Sequence, residues 1–189
     1  AQNLARLDDL IAAQAPAHLV FLGDFLHARQ SRTPTLLQAL AEWRGRHQAL
    51  AMTLVRGNHD DRAGDPPPEL RIDVVDEPHP LGPFAACHHP QTHPTHFVLA
   101  GHEHPVCRLH GAGRDRLRLP CFVQDEGRAV LPAFGEFTGG WLAEPAPGRR
   151  FHAVGDGAVW SLPPTACAPL DRSPPRPRPQ RAPAPGSLP

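Results

Sequence analysis

His18-Leu-Val-Phe-Leu22, followed by Gly23-Asp24, and Met52-Thr-Leu-Val55, followed by Arg56-Gly57-Asn58-His59-Asp60, decide the fold class of this chain. Each is a short, unbroken apolar run that stops at a glycine and a set of hydrogen-bonding side chains. Such a run suits a strand covered on both faces, whereas a half-exposed strand alternates apolar and polar residues. Before the first run, Leu4, Leu7 and Ile11 recur at helical spacing until Pro16 stops the pattern. Between the two runs, Leu36, Leu37, Leu40 and Trp43 do the same and predict a helix over 35–47 with those four side chains inward. Helix, strand, helix, strand is the opening of an α/β domain.

Beyond Asp65 the texture changes to short extended segments at 72–75, 84–87, 97–100, 116–123, 129–131, 151–154 and 158–162, punctuated by Gly and Pro. The second half is therefore expected to be mostly sheet. From Pro163 onward, ten prolines and four arginines with little apolar content predict a disordered Pro/Arg-rich tail at 163–189, leaving 1–162 as the one globular domain.

Bulk composition excludes some function classes. The 19 basic residues, all arginine, match 19 acidic ones, so no global field draws the chain to nucleic acid or membrane, and any attraction for phosphate must be local. Cys87, Cys107, Cys121 and Cys167 form no CxxC pair, which argues for reduced thiols rather than a disulfide framework or a zinc knuckle. No apolar run reaches the length of a membrane span and no signal core opens the chain, so a soluble, cytoplasmic protein with no membrane partner is expected. Ala1 is not an initiator methionine, and the native start is expected upstream.

Four polar clusters follow apolar runs: Gly23-Asp24, Gly57-Asn58-His59-Asp60, His88-His89-Pro90 and Gly101-His102-Glu103-His104. In an open α/β sheet, ligands bind beyond the carboxyl ends of strands, where loops converge on a rigid frame. A mixed set of Asp, Asn and His donors suits Mn, Fe or Zn, whereas Ca or Mg would take oxygens throughout. The preceding glycines allow close backbone approach.

The order GD, GNHD, a histidine after an apolar segment, then GHxH resembles the calcineurin-like metallophosphoesterase superfamily. The resemblance implies a sandwich of two mixed β-sheets flanked by helices and a site for two divalent metal ions. Carried over residue by residue, it makes Asp24 the carboxylate bridging both ions, with Asn58, His88 and His102 completing one site and His104 belonging to the other. His88 is preferred to His89 because the first histidine of such HHP segments is the usual ligand. His59 resembles the unliganded histidine that contacts phosphate oxygens or protonates the leaving group, with Asp60 holding its ring. His27 and Arg29 are tentative substrate contacts, with loop packing as the alternative. The superfamily also begins with a strand ending in Asp-x-His, which is absent before Asp24, so the N-terminal strand is missing and the second metal site is incomplete in this chain. Truncation upstream or a variant that binds one ion tightly would each account for that.

Longer stretches narrow the resemblance. Phe21-Leu-Gly-Asp-Phe-Leu-His-Ala-Arg29, Leu54-Val-Arg-Gly-Asn-His-Asp60, Val75-Asp-Glu-Pro78, Leu81-Gly-Pro-Phe84, Leu119-Pro-Cys-Phe122 and Leu131-Pro-Ala-Phe-Gly-Glu-Phe-Thr-Gly-Gly140 are similar to the ligase-associated DNA damage response endonuclease family, often called PdeM. That likeness implies a manganese-dependent phosphodiesterase acting on DNA, in functional association with a DNA ligase and a helicase. Two other readings stay open, a phosphatase or phosphodiesterase for small nucleotides and a noncatalytic binding module of the same fold. Outside these motifs, Arg114, Arg116 and Arg118 alternate with Asp115, Leu117 and Leu119, which puts the arginines on one strand face as either a DNA backbone track or a solvated outer surface. Glu136 lies in a glycine-rich stretch and has no assigned chemistry.

Overall fold

The computed structural model describes residues 2–26, 28–110, 116–135, 139–163 and 167. Its first half is helical and parallel. Helix α1 (Gln2–Gln14) leads to β1 (His18–Phe21), α2 (Pro34–Arg46), β2 (Ala51–Val55), the single turn α3 (Asp60–Ala63) and β3 (Asp73–Val75). The three strands form one parallel sheet in the order β1-β2-β3. Thr33 caps α2, its hydroxyl accepting from the Leu36 N–H at 3.2 Å, with Pro34 in the first turn where a missing N–H costs nothing.

The apolar face of α2 buries Leu40 and Trp43, and Leu40 joins Leu26, Ala63 and Leu70 in a core cluster against which Leu4 and Leu36 pack. Arg44 is buried as well, which helical periodicity does not foretell. Its guanidinium donates to the main-chain oxygens of Leu70 at 2.7 Å and Arg71 at 3.4 Å, and so holds the chain after α3. Central β2 is buried from Met52 to Val55, as its apolar run demands. β1 is only partly buried, because it lies at the edge of the sheet.

The second half is a mixed sheet built from β4 (His79–Leu81), β5 (Phe84–Cys87), β6 (Phe97–Ala100), β7 (Pro105–His110), β8 (Arg116–Asp125), β9 (Arg128–Val130), β10 (Trp141–Leu142), β11 (Arg150–Gly155) and β12 (Ala158–Leu162). Its order is β10-β7-β8-β9-β6-β5-β4, with β11 added to β8 and β12 to β11. Two apolar clusters hold it, one of Ala85, Cys87, Val98 and Ala100, the other of Cys107, Cys121, Val123, Val130, Ala143, Phe151 and Ala153. The four cysteines are free thiols, and burial pushes Cys87 and Cys167 up to about 11, which leaves them protonated and unreactive at neutral pH. Leu162 and Cys167 pack on the second cluster. Apart from Pro163 and Cys167, the tail expected at 163–189 lies outside the described residues, as do His27, Arg114 and Glu136. No described helix is long and apolar enough to cross a membrane.

Candidate metal centre

All four polar clusters lie just past strand ends. Asp24 follows β1, Asn58 follows β2, His88 follows β5 and His102 follows β6. Three backbones there occupy the left-handed region at residues other than glycine: Asp24 (φ +55°), His102 (φ +66°) and His104 (φ +49°). Asp and His tolerate this region better than most residues, and a cluster of such conformations on adjacent loops marks a constrained site.

Two glycines make the close approach possible. At Gly23 (φ +93°) an added Cβ would sit 2.0 Å from His88 Nδ1, and at Gly57 it would sit 2.4 Å from Asp24 Oδ1 and 2.6 Å from the Asp24 nitrogen. No side chain fits at either position without moving a residue of the site.

The side chains converge on one atom. His88 is buried, and its Nδ1 lies 2.8 Å from the Leu22 carbonyl oxygen, which can only accept, so Nδ1 carries the proton. Nε2 of the neutral ring then presents a lone pair. It faces Asn58 Oδ1 at 2.9 Å, His102 Nδ1 at 3.0 Å and Asp24 Oδ1 at 3.6 Å. Of these three neighbours only the His102 nitrogen can bring a proton, so two oxygens and a ring nitrogen point lone pairs at one another. A cation resolves that arrangement, and the N/O set fits a divalent transition metal. Burial holds the His102 imidazole below its usual range, and the neighbouring His88 and His89 rings add to the effect, which keeps a nitrogen lone pair available.

Around this core, Asp24 Oδ1 accepts from the His59 main-chain N–H at 3.0 Å. His59 stands at the entrance to α3, so its loop is tied to the carboxylate across the parallel sheet. Asp60 is fully buried, its oxygens accepting from the main-chain N–H groups of Leu26 at 3.2 Å and Gly57 at 3.0 Å. Burial raises its carboxyl, and the hydrogen bonds from Gly57, Leu26 and Asp24 work against that rise. Asp60 thus pins the Asp24 loop to the Asn58 loop. Arg29 is exposed on a 3-10 turn spanning Arg29–Ser31. The main chain of His104 accepts from the Trp141 N–H at 3.1 Å, which fixes the start of β10 beside the last turn of the site.

Sequence reasoning missed two members of this neighbourhood. Ring nitrogens of His88, His89 and His102 lie within 4.8 Å of one another, so His89 borders the same cluster. Glu77 holds the HHP segment in place: Oε2 accepts from the main-chain N–H groups of His88 at 2.6 Å and His89 at 2.8 Å, and Oε1 meets His89 Nδ1 at 2.7 Å. Burial pushes the Glu77 carboxyl up, but the His89 ring and the two N–H groups outweigh it and hold the group below the ordinary range. The only signal in the sequence was the Val75-Asp-Glu-Pro78 stretch, quoted above for its resemblance without a role.

Comparison with solved structures finds the crystal structure of Pseudomonas putida nuclease MPE similar to this chain, with 56% sequence identity, a TM-score of 0.78, and a match covering 85% of this chain and 78% of that one. No protein-family model matches the chain, and no curated protein does.

Proposed function

The chain belongs to the family of the Pseudomonas putida nuclease MPE, and on that premise we propose that it is a metal-dependent phosphodiesterase that cleaves DNA. The observation that carries this reading is the convergence of Asp24, Asn58 and His102 on the lone pair of His88 Nε2. Those four residues would hold one divalent ion, manganese being the best match to the resemblance, with Fe or Zn also suited to the donors. Asp24 would be shared with a second ion that His104 also serves. When bound, such ions supply Lewis acidity, polarising a phosphoryl oxygen and making a water acidic enough to attack near neutral pH.

The protein's own groups do the rest. His59 reaches the departing oxygen or a non-bridging oxygen and hydrogen-bonds or protonates it. Asp60 keeps the His59 loop in register, and the neutral His102 leaves its nitrogen free for ligation. His27 and Arg29 would line the path of the substrate. A cytoplasmic role in DNA repair, together with a DNA ligase and a helicase, accompanies this reading.

Incubation of the full chain with a labelled single-stranded oligonucleotide and manganese tests it. Cleavage is expected, and Asp24→Asn should lower it at least 100-fold, within the range of losses seen when a charge-stabilising group is removed. Hydrolysis of bis(p-nitrophenyl) phosphate without any cleavage of DNA would instead assign the site to small esters.

A further inference from the structure

The hairpin of β7 and β8 leaves the sheet as a two-stranded arm. β10 pairs with β7 only at Pro105 and Val106, and β11 pairs with β8 only from Cys121 to Gln124. Among the described residues, 107–110 and 116–120 therefore have no ladder partners except each other. The register places Arg108 opposite Arg118 and His110 opposite Arg116. Side chains alternate along a strand, so these four share one face of the arm, and Cys107, Leu109, Leu117 and Leu119 share the other.

Arg108, Arg116 and Arg118 are exposed, and none forms an ion pair with a carboxylate among the described residues. Arg118 donates to the Gly140 carbonyl oxygen. Like charges set directly opposite each other across an antiparallel pair are destabilising, and an ordinary solvated face intersperses both signs. In a chain whose acidic and basic residues are equal in number, an acid-free basic face is a local choice. It is the arrangement that a polyanion neutralises.

The position of the arm says which polyanion. β7 starts at Pro105, directly after His104, and Arg108 lies three residues further, about 10 Å along a strand. Gly140, which Arg118 holds, precedes Trp141, whose N–H is bonded to the His104 carbonyl oxygen. The basic face thus runs outward from the last turn of the metal centre. Resting on the nuclease reading above, we propose that this face of the β7–β8 arm is the track along which the substrate DNA strand leaves the centre, with Arg108, Arg116 and Arg118 holding its phosphates.

The test compares the full chain with its Arg108→Ala/Arg116→Ala variant in manganese, on a fluorescein-labelled single-stranded oligonucleotide and on bis(p-nitrophenyl) phosphate. KM for DNA should rise roughly 10-fold, and the slope of log(kcat/KM) against log salt should flatten by about 1.4, the value for two lost contacts on a single strand. Activity on the small ester should not change, which also reports that the variant is folded. Arg108→Lys/Arg116→Lys should restore the salt slope. An alanine variant that matches the wild type in KM and salt slope on DNA would overturn the track and leave the nuclease reading intact, as would equal losses on DNA and the small ester. A wild-type chain that hydrolyses the small ester and leaves DNA uncut would remove the nuclease reading itself.

Discussion

The two halves of the molecule bring different chemistry to the same seam. The parallel half, β1 to β3, supplies oxygens, Asp24 and Asn58, from loops that follow its strands. The mixed half supplies nitrogens, His88 and His102, from the turns after β5 and β6. Each half is also held by groups of the other. Leu22, at the end of β1, accepts from His88 Nδ1, and Glu77, on the exit from β3, takes the N–H groups of His88 and His89. Within the mixed half, the Gly101 N–H donates to the His88 carbonyl oxygen at 3.1 Å, and a Cβ at Gly101 would come 2.9 Å from the Leu22 oxygen. The donor set is therefore a property of the seam. Neither sheet could present it alone, because the lone pair of His88 is aimed by a carbonyl of the first half toward oxygens of the first half.

The sharpest way to break the oxygen side is Gly57→Ala. The new Cβ would stand 2.4 Å from Asp24 Oδ1 and must displace either that carboxylate or the Asn58 loop. Gly57 itself is buried, so little room exists for relief. Manganese affinity measured by calorimetric titration should fall roughly 100-fold, the upper end of what distorting the support of a ligand costs. The nitrogen side should stay formed, because β5 and β6 do not touch the altered position. Unchanged affinity would remove Asp24 from the ligand set.

The nitrogen side is more gently perturbed by Glu77→Gln. The amide keeps the shape of the carboxylate but loses its charge and one acceptor, leaving an N–H of the HHP segment or the His89 ring without its partner. About a 10-fold loss of manganese affinity is expected with little change in thermal midpoint, since the side chain is part-exposed. If titration instead shows wild-type binding, Leu22 and Gly101 suffice to place His88 and the contribution of Glu77 is confined to His89.

This asymmetry also explains what could be read in the sequence. The oxygen side was legible because its apolar runs and glycine-polar endings are contiguous, so strand, turn and donor appear together at 18–24 and 52–60. His88 and His102 were legible for the same reason. Glu77 was not, because it acts on main-chain groups eleven and twelve residues away, and nothing local distinguishes it from other acidic loop residues. β7 was missed because Pro105 opens it and Arg108 and His110 break its apolar character, features of an arm that is exposed on both faces near its tip. β4 contains Pro80, which lowers any strand expectation and is tolerated because β4 forms the edge of the sheet. The buried Arg44 was hidden by a periodicity that records apolarity alone.

The smallest expected effect lies away from the seam, in the support of the mixed half. Asp125, in the turn between β8 and β9, accepts from Arg149 Nε at 2.8 Å and Nη2 at 2.9 Å, with Arg128 at 3.3 Å. The Arg149 hydrogen bonds, followed by the charges of Arg149 and Arg128, outweigh burial and hold its carboxyl below the model-peptide value of 3.8. A carboxyl whose folded value is depressed stabilises the fold fully above the unfolded value, and that contribution is lost as pH falls below 3.8 toward the folded value. Asp125→Asn should therefore cost about 1 kcal/mol at pH 7, a modest sum for a partly exposed pair, and nothing once the pH is low enough to protonate the native carboxyl. Thermal midpoints of the two proteins, followed from neutral pH to about pH 3, should converge at the acid end. Manganese affinity should be the same in both, because Asp125 stabilises the sheet that carries the nitrogens without touching the seam; a loss comparable to that of Glu77→Gln would mean that the nitrogen side is positioned by the whole mixed sheet rather than by the contacts across the seam.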